Sequence, residues 1–131
     1  MTSMPSEAVI HVVDDEAAFR RSLIFLLESA GWLVIGHPSA ESFLAAAPAL
    51  PEKGGCLLLD VRMPCMSGFE LQRQLLAGGP PWPIVFMTGH GDEEMAAHAL
   101  QAGACDFLHK PFADQVVLDA VERAIRQSRV N

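Results

Sequence analysis

Short apolar runs alternate with amphipathic stretches along the whole chain. Val9-Ile10-His11-Val12-Val13 reads as a first strand and stops at Asp14-Asp15-Glu16. From Ala17 to Ala30, Phe19, Leu23, Leu26, Leu27 and Ala30 recur at helical spacing, and Gly31 is a natural stop. Leu33-Val34-Ile35 predicts a short second strand, and Ser39 is placed to cap a helix over Ala40 to Ala47 that Pro48 ends. The run Cys56-Leu57-Leu58-Leu59, between Gly54-Gly55 and Pro64, predicts a third strand over Leu57 to Asp60, buried on both faces. Ser67 and Glu70 have the spacing of a capping box and open a helix through Leu76 that stops at Gly78-Gly79. Ile84-Val85-Phe86-Met87 is a fourth strand, followed by a helix from an Asp92 cap to Ala102, with Gly103 closing it. Asp106 to His109 is a fifth strand. Asp114 is placed to cap a last helix in which Val117, Ala120, Val121, Ala124 and Ile125 share a face. This (βα)5 order predicts an α/β fold: a parallel sheet covered by helices on both faces, with right-handed crossovers.

With 131 residues, half of them apolar, the chain suits one domain with one core. No apolar run reaches the length of a membrane span. Residues 1–7 lack the basic region and apolar stretch of a signal peptide and read as a disordered lead-in. The three cysteines, Cys56, Cys65 and Cys105, form no CxxC pair, which fits a reducing cytoplasm. A net charge of −7 argues against this domain gripping a phosphate backbone by itself.

In a parallel sheet all strands point one way, so Asp14, Asp15, Asp60, Thr88 and Lys110 are expected at one edge. Ligands bind at that edge in open α/β sheets. Each residue alone has a plain structural explanation, as a helix cap, a turn or a strand-end hydroxyl. Their joint placement does not. Three crowded carboxylates repel one another, and a divalent cation relieves the repulsion. All-oxygen ligands select Mg²⁺ or Mn²⁺ over zinc. Mg²⁺ favours phosphoryl chemistry, in which an ionised Asp60 acts as nucleophile, Lys110 neutralises charge and Thr88 donates to a phosphate oxygen.

Val12-Val13-Asp14-Asp15-Glu16, Leu59-Asp60-Val61-Arg62-Met63-Pro64 with Met66-Ser67-Gly68, Phe86-Met87-Thr88-Gly89-His90-Gly91, and Ala102-Gly103-Ala104 through Lys110-Pro111-Phe112 resemble the receiver domain of two-component response regulators. The match runs from about Ala8 to Arg126, and the loop wording is most similar to the FixJ branch of the LuxR/NarL-type regulators. The resemblance implies a flavodoxin-like, doubly wound sandwich with strand order 2-1-3-4-5. It implies a receiver domain over residues 8–128, with residues 129–131 beginning a linker to an output domain. Asp60 would accept a phosphoryl group from a sensor histidine kinase. Asp14, Asp15, Asp60 and the Arg62 carbonyl would hold Mg²⁺, with Mn²⁺ as a substitute. Thr88, Lys110 and Phe107 would form the phosphate-binding switch. Pro111 would follow a cis bond, and Arg62 and His90 would tune the lifetime of the phosphorylated state. A homodimer through helix four and strand five would form on phosphorylation, and DNA would be bound only through the output domain. The expected location is the cytoplasm.

Two readings of the end at Asn131 stay open: a truncated regulator, which is favoured, and a single-domain one. Two other functions remain in competition. A Mg²⁺-dependent phosphatase would want a carboxylate where Arg62 stands, and a flavodoxin-like cofactor binder would be poorly served by the Asp-rich first loop. Cys65, beside the acidic pocket, invites a redox role, but a tolerated loop residue is the favoured reading. The remaining histidines, His11, His37, His98 and His109, are read as structural or exposed, and Met63, Met66, Met87, Met95, Trp32 and Trp82 as packing or loop cover.

Overall fold

The computed structural model describes residues 8–47, 55–78, 82–89 and 93–130, without the side chains of 128–130. The lead-in at 1–7, Pro48, His90, Asp92 and Asn131 lie outside the described residues.

Strands β1 (Val9–Val13), β2 (Leu33–His37), β3 (Cys56–Asp60), β4 (Ile84–Thr88) and β5 (Asp106–His109) alternate with helices α1 (Ala17–Ser29), α2 (Ala40–Ala46), α3 (Gly68–Ala77), α4 (Glu93–Gln101) and α5 (Asp114–Val130). The sheet order is β2-β1-β3-β4-β5, parallel throughout. Every residue of β3 and β4 is buried, as continuous apolar runs require when both faces are covered. Among the described residues no helix is long and apolar enough to cross a membrane.

The sheet separates two cores. On one face Ile10, Val12, Leu58, Val85 and Met87 pack against Leu23 and Leu27 of α1 and against Val117, Ala120, Val121, Ala124 and Ile125 of α5. On the other, Val13, Leu57, Leu59 and Phe86 meet Phe43 of α2, Leu71 of α3 and Ala99 of α4. The amphipathic face predicted for the last helix is thus buried in the first core.

The helix ends follow local chemistry. Ser67 Oγ accepts the Glu70 N–H at 3.2 Å and Glu70 Oε1 accepts the Ser67 N–H at 2.8 Å, completing the expected capping box. Ser39 Oγ accepts the Ser42 N–H at the start of α2. Gly31 reverses the chain after α1 at φ +99°, a conformation side chains disfavour.

Some boundaries differ from expectation. β2 runs through His37 rather than ending at Ile35, because Val12 and Val13 of β1 pair with Gly36 and His37. Glycine suits this position: a Cβ there would meet Ile24 Cδ1 of α1 at 2.7 Å. Asp114 is the first helical residue of α5 rather than its cap, since the Ala113 carbonyl accepts the Val116 and Val117 N–H groups. Its charge therefore sits in the first turn, where the helix dipole favours an anion.

Candidate functional site

Strand register brings the polar residues to one edge. Val13 pairs with Leu59, so Asp14 and Asp60 follow side by side; Asp60 pairs with Met87, and Thr88 with His109, just before Lys110. Carboxylate oxygens of Asp14, Asp15 and Asp60 lie within 4.8 Å of one another. Asp14 and Thr88 are fully buried and Asp60 nearly so, while Asp15 is exposed.

Asp14 is fixed from several directions. Its N–H donates to the His37 carbonyl at 3.1 Å, and its own carbonyl accepts Arg20 Nη1 at 2.6 Å. Oδ1 accepts the Glu16 N–H at 2.9 Å, and Oδ2 faces Lys110 Nζ at 2.9 Å. Asp60 has a weaker hold on the same ammonium, at 3.5 Å. Burial, together with the negative charge of Asp14, pushes the Asp60 carboxyl up to about 6; Lys110 opposes the rise and Asp15 adds to it. For Lys110, burial acts to lower the affinity for its proton, but Asp14 and Asp60 outweigh it and the net shift is upward. Hard oxygen ligands, clustered and electrostatically strained, fit a small divalent cation such as Mg²⁺.

The loop after β3 is shaped by a close approach. The Gly68 N–H donates to the Val61 carbonyl at 2.9 Å. A Cβ on Gly68 would lie 2.4 Å from the Asp60 carbonyl oxygen, so the first residue of α3 packs backbone against backbone beneath the pocket. Arg62 is exposed on this loop and, with Val61, Met63, Pro64, Ser67, Phe69 and Met95, lines a cleft of about 540 Å³. Met95 is exposed at that cleft and not packing, unlike the buried Met63 and Met87. Cys65 is exposed at φ +71°, a left-handed conformation unusual for a residue with a side chain.

On the opposite side, the Lys110 N–H donates to the Thr88 carbonyl at 2.7 Å and the Lys110–Pro111 peptide is cis. Lys110 Nζ also lies 4.1 Å from the centre of the Phe19 ring, which meets Phe112 edge-on at 5.9 Å. Phe107 is half-buried. It stacks on Phe69 at 6.5 Å and tilts against Phe86 at 6.0 Å and His109 at 5.7 Å. His109 in turn faces Glu93 of α4 at 3.5 Å.

The residues gathered at the edge are thus Asp14, Asp15, Asp60, Thr88 and Lys110, with Phe107 on the α4 side. Sequence reasoning missed the contacts of Phe19 and Arg20, which looked like ordinary α1 residues. It also missed that His11 and His37 face each other, with ring nitrogens 3.0 Å apart, inside a cluster with Phe43 and Trp82. The available signal was parity, since both side chains fall on the same face of adjacent strands.

A family model described as the response regulator receiver domain matches residues 10–122. The chain is 46% identical over 125 residues to the transcriptional regulatory protein FixJ of Azorhizobium caulinodans, covering 95% of this chain and 58% of that protein. To FixJ of Rhizobium meliloti it is 48% identical over 119 residues, covering 91% and 57%. The chain therefore spans little more than half the length of these curated relatives. A crystal structure titled FixJ-N superposes with a TM-score of 0.84 at 46% identity, covering 96% of each chain. Full-length FixJ from B. japonicum superposes at 0.85 with 48% identity, covering 92% of this chain and 58% of that one. Fold, strand-end acids and sequence agree: this chain belongs to the receiver domain family of response regulators, and its relatives are of the FixJ type.

Proposed function

We propose that Asp60 is the phosphoacceptor of a switch module that receives its phosphoryl group from a sensor histidine kinase. The reading rests on one observation: Asp14, Asp15 and Asp60 share a pocket with the ammonium of Lys110 at the carboxyl edge of the sheet. An oxygen of ionised Asp60 forms the new O–P bond as the donor N–P bond breaks, and the electron pair stays on the leaving imidazole nitrogen. Asp14, Asp15, Asp60 and the Arg62 carbonyl would hold Mg²⁺, or Mn²⁺ in its place. Bound there, the ion supplies charge neutralisation for the transferring group. Lys110 pairs with one phosphate oxygen and the Thr88 hydroxyl donates to another. Phe107, which has no hydroxyl, follows Thr88 by packing alone.

The adduct adds close to two negative charges, which bias a two-state equilibrium of the α4–β5 face. That face would carry a phosphorylation-favoured homodimer, and the domain, over residues 8–128, would control a C-terminal DNA-binding output domain beyond residues 129–131. Arg62 and His90 would set how long the adduct lasts, and Pro111 would hold the turn that carries Lys110. The setting is cytoplasmic, and no multiple turnover on free substrates is expected.

Incubation with Mg²⁺ and acetyl phosphate tests the reading. One stable phosphoryl group per chain, absent in Asp60→Asn, is expected. Repeated turnover of small phosphoesters without an adduct would favour a phosphatase instead. Identical sedimentation of the phosphorylated and unphosphorylated forms at high concentration would remove the dimer. An adduct lifetime unchanged by Arg62→Ala and His90→Ala would remove their tuning role.

A further inference from the structure

We infer that Phe19 is a positioning residue for Lys110, acting through the face of its ring, and that it thereby sets the rate of phosphoryl transfer to this pocket. The inference rests on the phosphoacceptor reading of Asp60. Lysine carries its charge on a flexible four-carbon stem, so the amine needs a hold if it is to meet a transferring group in one place. Two of its present contacts are anions: Asp14 Oδ2 at 2.9 Å and Asp60 Oδ1 at 3.5 Å. The Asp60 contact changes when its carboxylate becomes an acyl phosphate, and the new phosphoryl oxygens compete with Asp14 for the ammonium.

The third contact is of a different kind. The ammonium sits 4.1 Å from the centre of the Phe19 ring, within the range of cation–π attraction. The ring accepts no phosphoryl group and changes no charge, so this contact persists while the carboxylate contacts are exchanged. Only 17% of the Lys110 side chain is exposed, and desolvation strengthens such a contact.

The ring is itself held in place. Phe19 lies in the first turn of α1, four residues after Asp15. Phe112, two residues after Lys110, meets it edge-on at 5.9 Å and 80°. The aromatic pair bridges α1, which directly follows Asp14 and Asp15, and the β5–α5 loop, which carries the amine. Ordinary core packing would need only an apolar side chain of similar volume at residue 19. Positioning needs a π face.

That difference defines the test. Phe19→Leu keeps the apolar bulk and removes the face, and Phe19→Tyr keeps both. With Mg²⁺ and acetyl phosphate, the initial phosphorylation rate of Phe19→Leu is expected to fall roughly tenfold, and that of Phe19→Tyr to stay within about twofold of wild type. Mg²⁺ affinity, read by calorimetry, should be equal in all three. In the folded wild type, the Lys110 ε-methylene protons should show an upfield ring-current shift by NMR that Phe19→Leu loses and Phe19→Tyr retains. A wild-type rate in Phe19→Leu, an equal loss in both variants, or unshifted ε protons in the wild type would each overturn the role of Phe19. Where Phe19→Leu fails to fold, Phe19→Met takes its place, and a wild-type rate in that variant overturns the role in the same way. Asp60→Asn is run beside them: an adduct surviving in it overturns the phosphoacceptor reading itself, whereas an inert Asp60→Asn with a fast Phe19→Leu removes only the role of Phe19.

Discussion

Lys110 Nζ lies 2.9 Å from Asp14 Oδ2 and 3.5 Å from Asp60 Oδ1, so the shared ammonium leans toward Asp14. Asp14 is fully buried, and removing Lys110 takes away the ammonium that faces its carboxylate, leaving Oδ1 the Glu16 N–H and the main-chain carbonyl the Arg20 guanidinium. Without divalent cation, Lys110→Ala should lose about 3 kcal/mol of stability by urea denaturation. Millimolar Mg²⁺ should restore much of the loss, because a cation that binds the folded pocket stabilises it by linkage. An unchanged urea midpoint in the variant would show that the pair holds nothing together.

Asp60 should oppose folding at neutral pH. Its folded-state carboxyl titrates near 6, against roughly 3.9 in an unfolded chain. A raised carboxyl contributes stability that is complete below the unfolded value and is lost as pH rises through the folded one. Above pH 6 the cation-free protein therefore carries a penalty of about 2 to 3 kcal/mol. Asp60→Asn should be more stable than wild type at pH 7.5, with the gap closing toward pH 4 and narrowing when Mg²⁺ is added. A gap that stays constant across this range would contradict the assignment.

The buried histidine pair works in the opposite direction. Burial, and then the neighbouring His37, lower His11 to about 4, and burial lowers His37 as well, with Arg20 adding to the effect. A depressed histidine contributes stability that is present above the unfolded value near 6.5 and is lost as pH falls toward 4. For His11 this amounts to about 3 kcal/mol. Between pH 6.5 and 4 the two effects partly cancel in the wild type. Asp60→Asn, which keeps only the histidine effect, should lose stability more steeply with acid. Urea midpoints at several pH values in both proteins check this, and equal slopes would refute it.

Gly68→Ala places a methyl group 2.4 Å from the Asp60 carbonyl oxygen, against backbone that has little room to move. A loss of about 2 kcal/mol is expected. Because the displaced carbonyl belongs to Asp60 itself, phosphorylation by acetyl phosphate should slow as well. Wild-type stability and rate in this variant would show that the loop yields freely.

Native alkylation should label exposed Cys65 well before Cys56, which is buried and whose thiol burial pushes far up. Phosphorylation unchanged after Cys65 is blocked would exclude a redox role for that thiol.

The fold was legible because its signals are local. Apolar runs mark β1, β3 and β4, Ser67 and Glu70 mark α3, and a parallel sheet forces Asp14, Asp60 and Thr88 to one edge. The end of β2 was not legible, because Gly36 and His37 are poor strand formers and only pairing with Val12 and Val13 extends the strand. The α5 start slipped by one residue, since a backbone carbonyl at Ala113 plays the part expected of the Asp114 side chain. The Phe19 ring over Lys110 and the His11–His37 contact join residues far apart in the chain, and nothing in residue type announces either.

The backbone bond from the Lys110 N–H to the Thr88 carbonyl, 2.7 Å long, has a mechanical consequence. It ties the end of β4 to the residue after β5 and so restrains the Thr88 main chain against sliding toward the pocket. Travel of its hydroxyl then comes most cheaply from rotation about a single side-chain bond. A β-branched side chain turning on a fixed pivot has only a few staggered stops. Such a part clicks between positions instead of bending by degrees, and a partial input would change how often each stop is occupied rather than how far the hydroxyl moves.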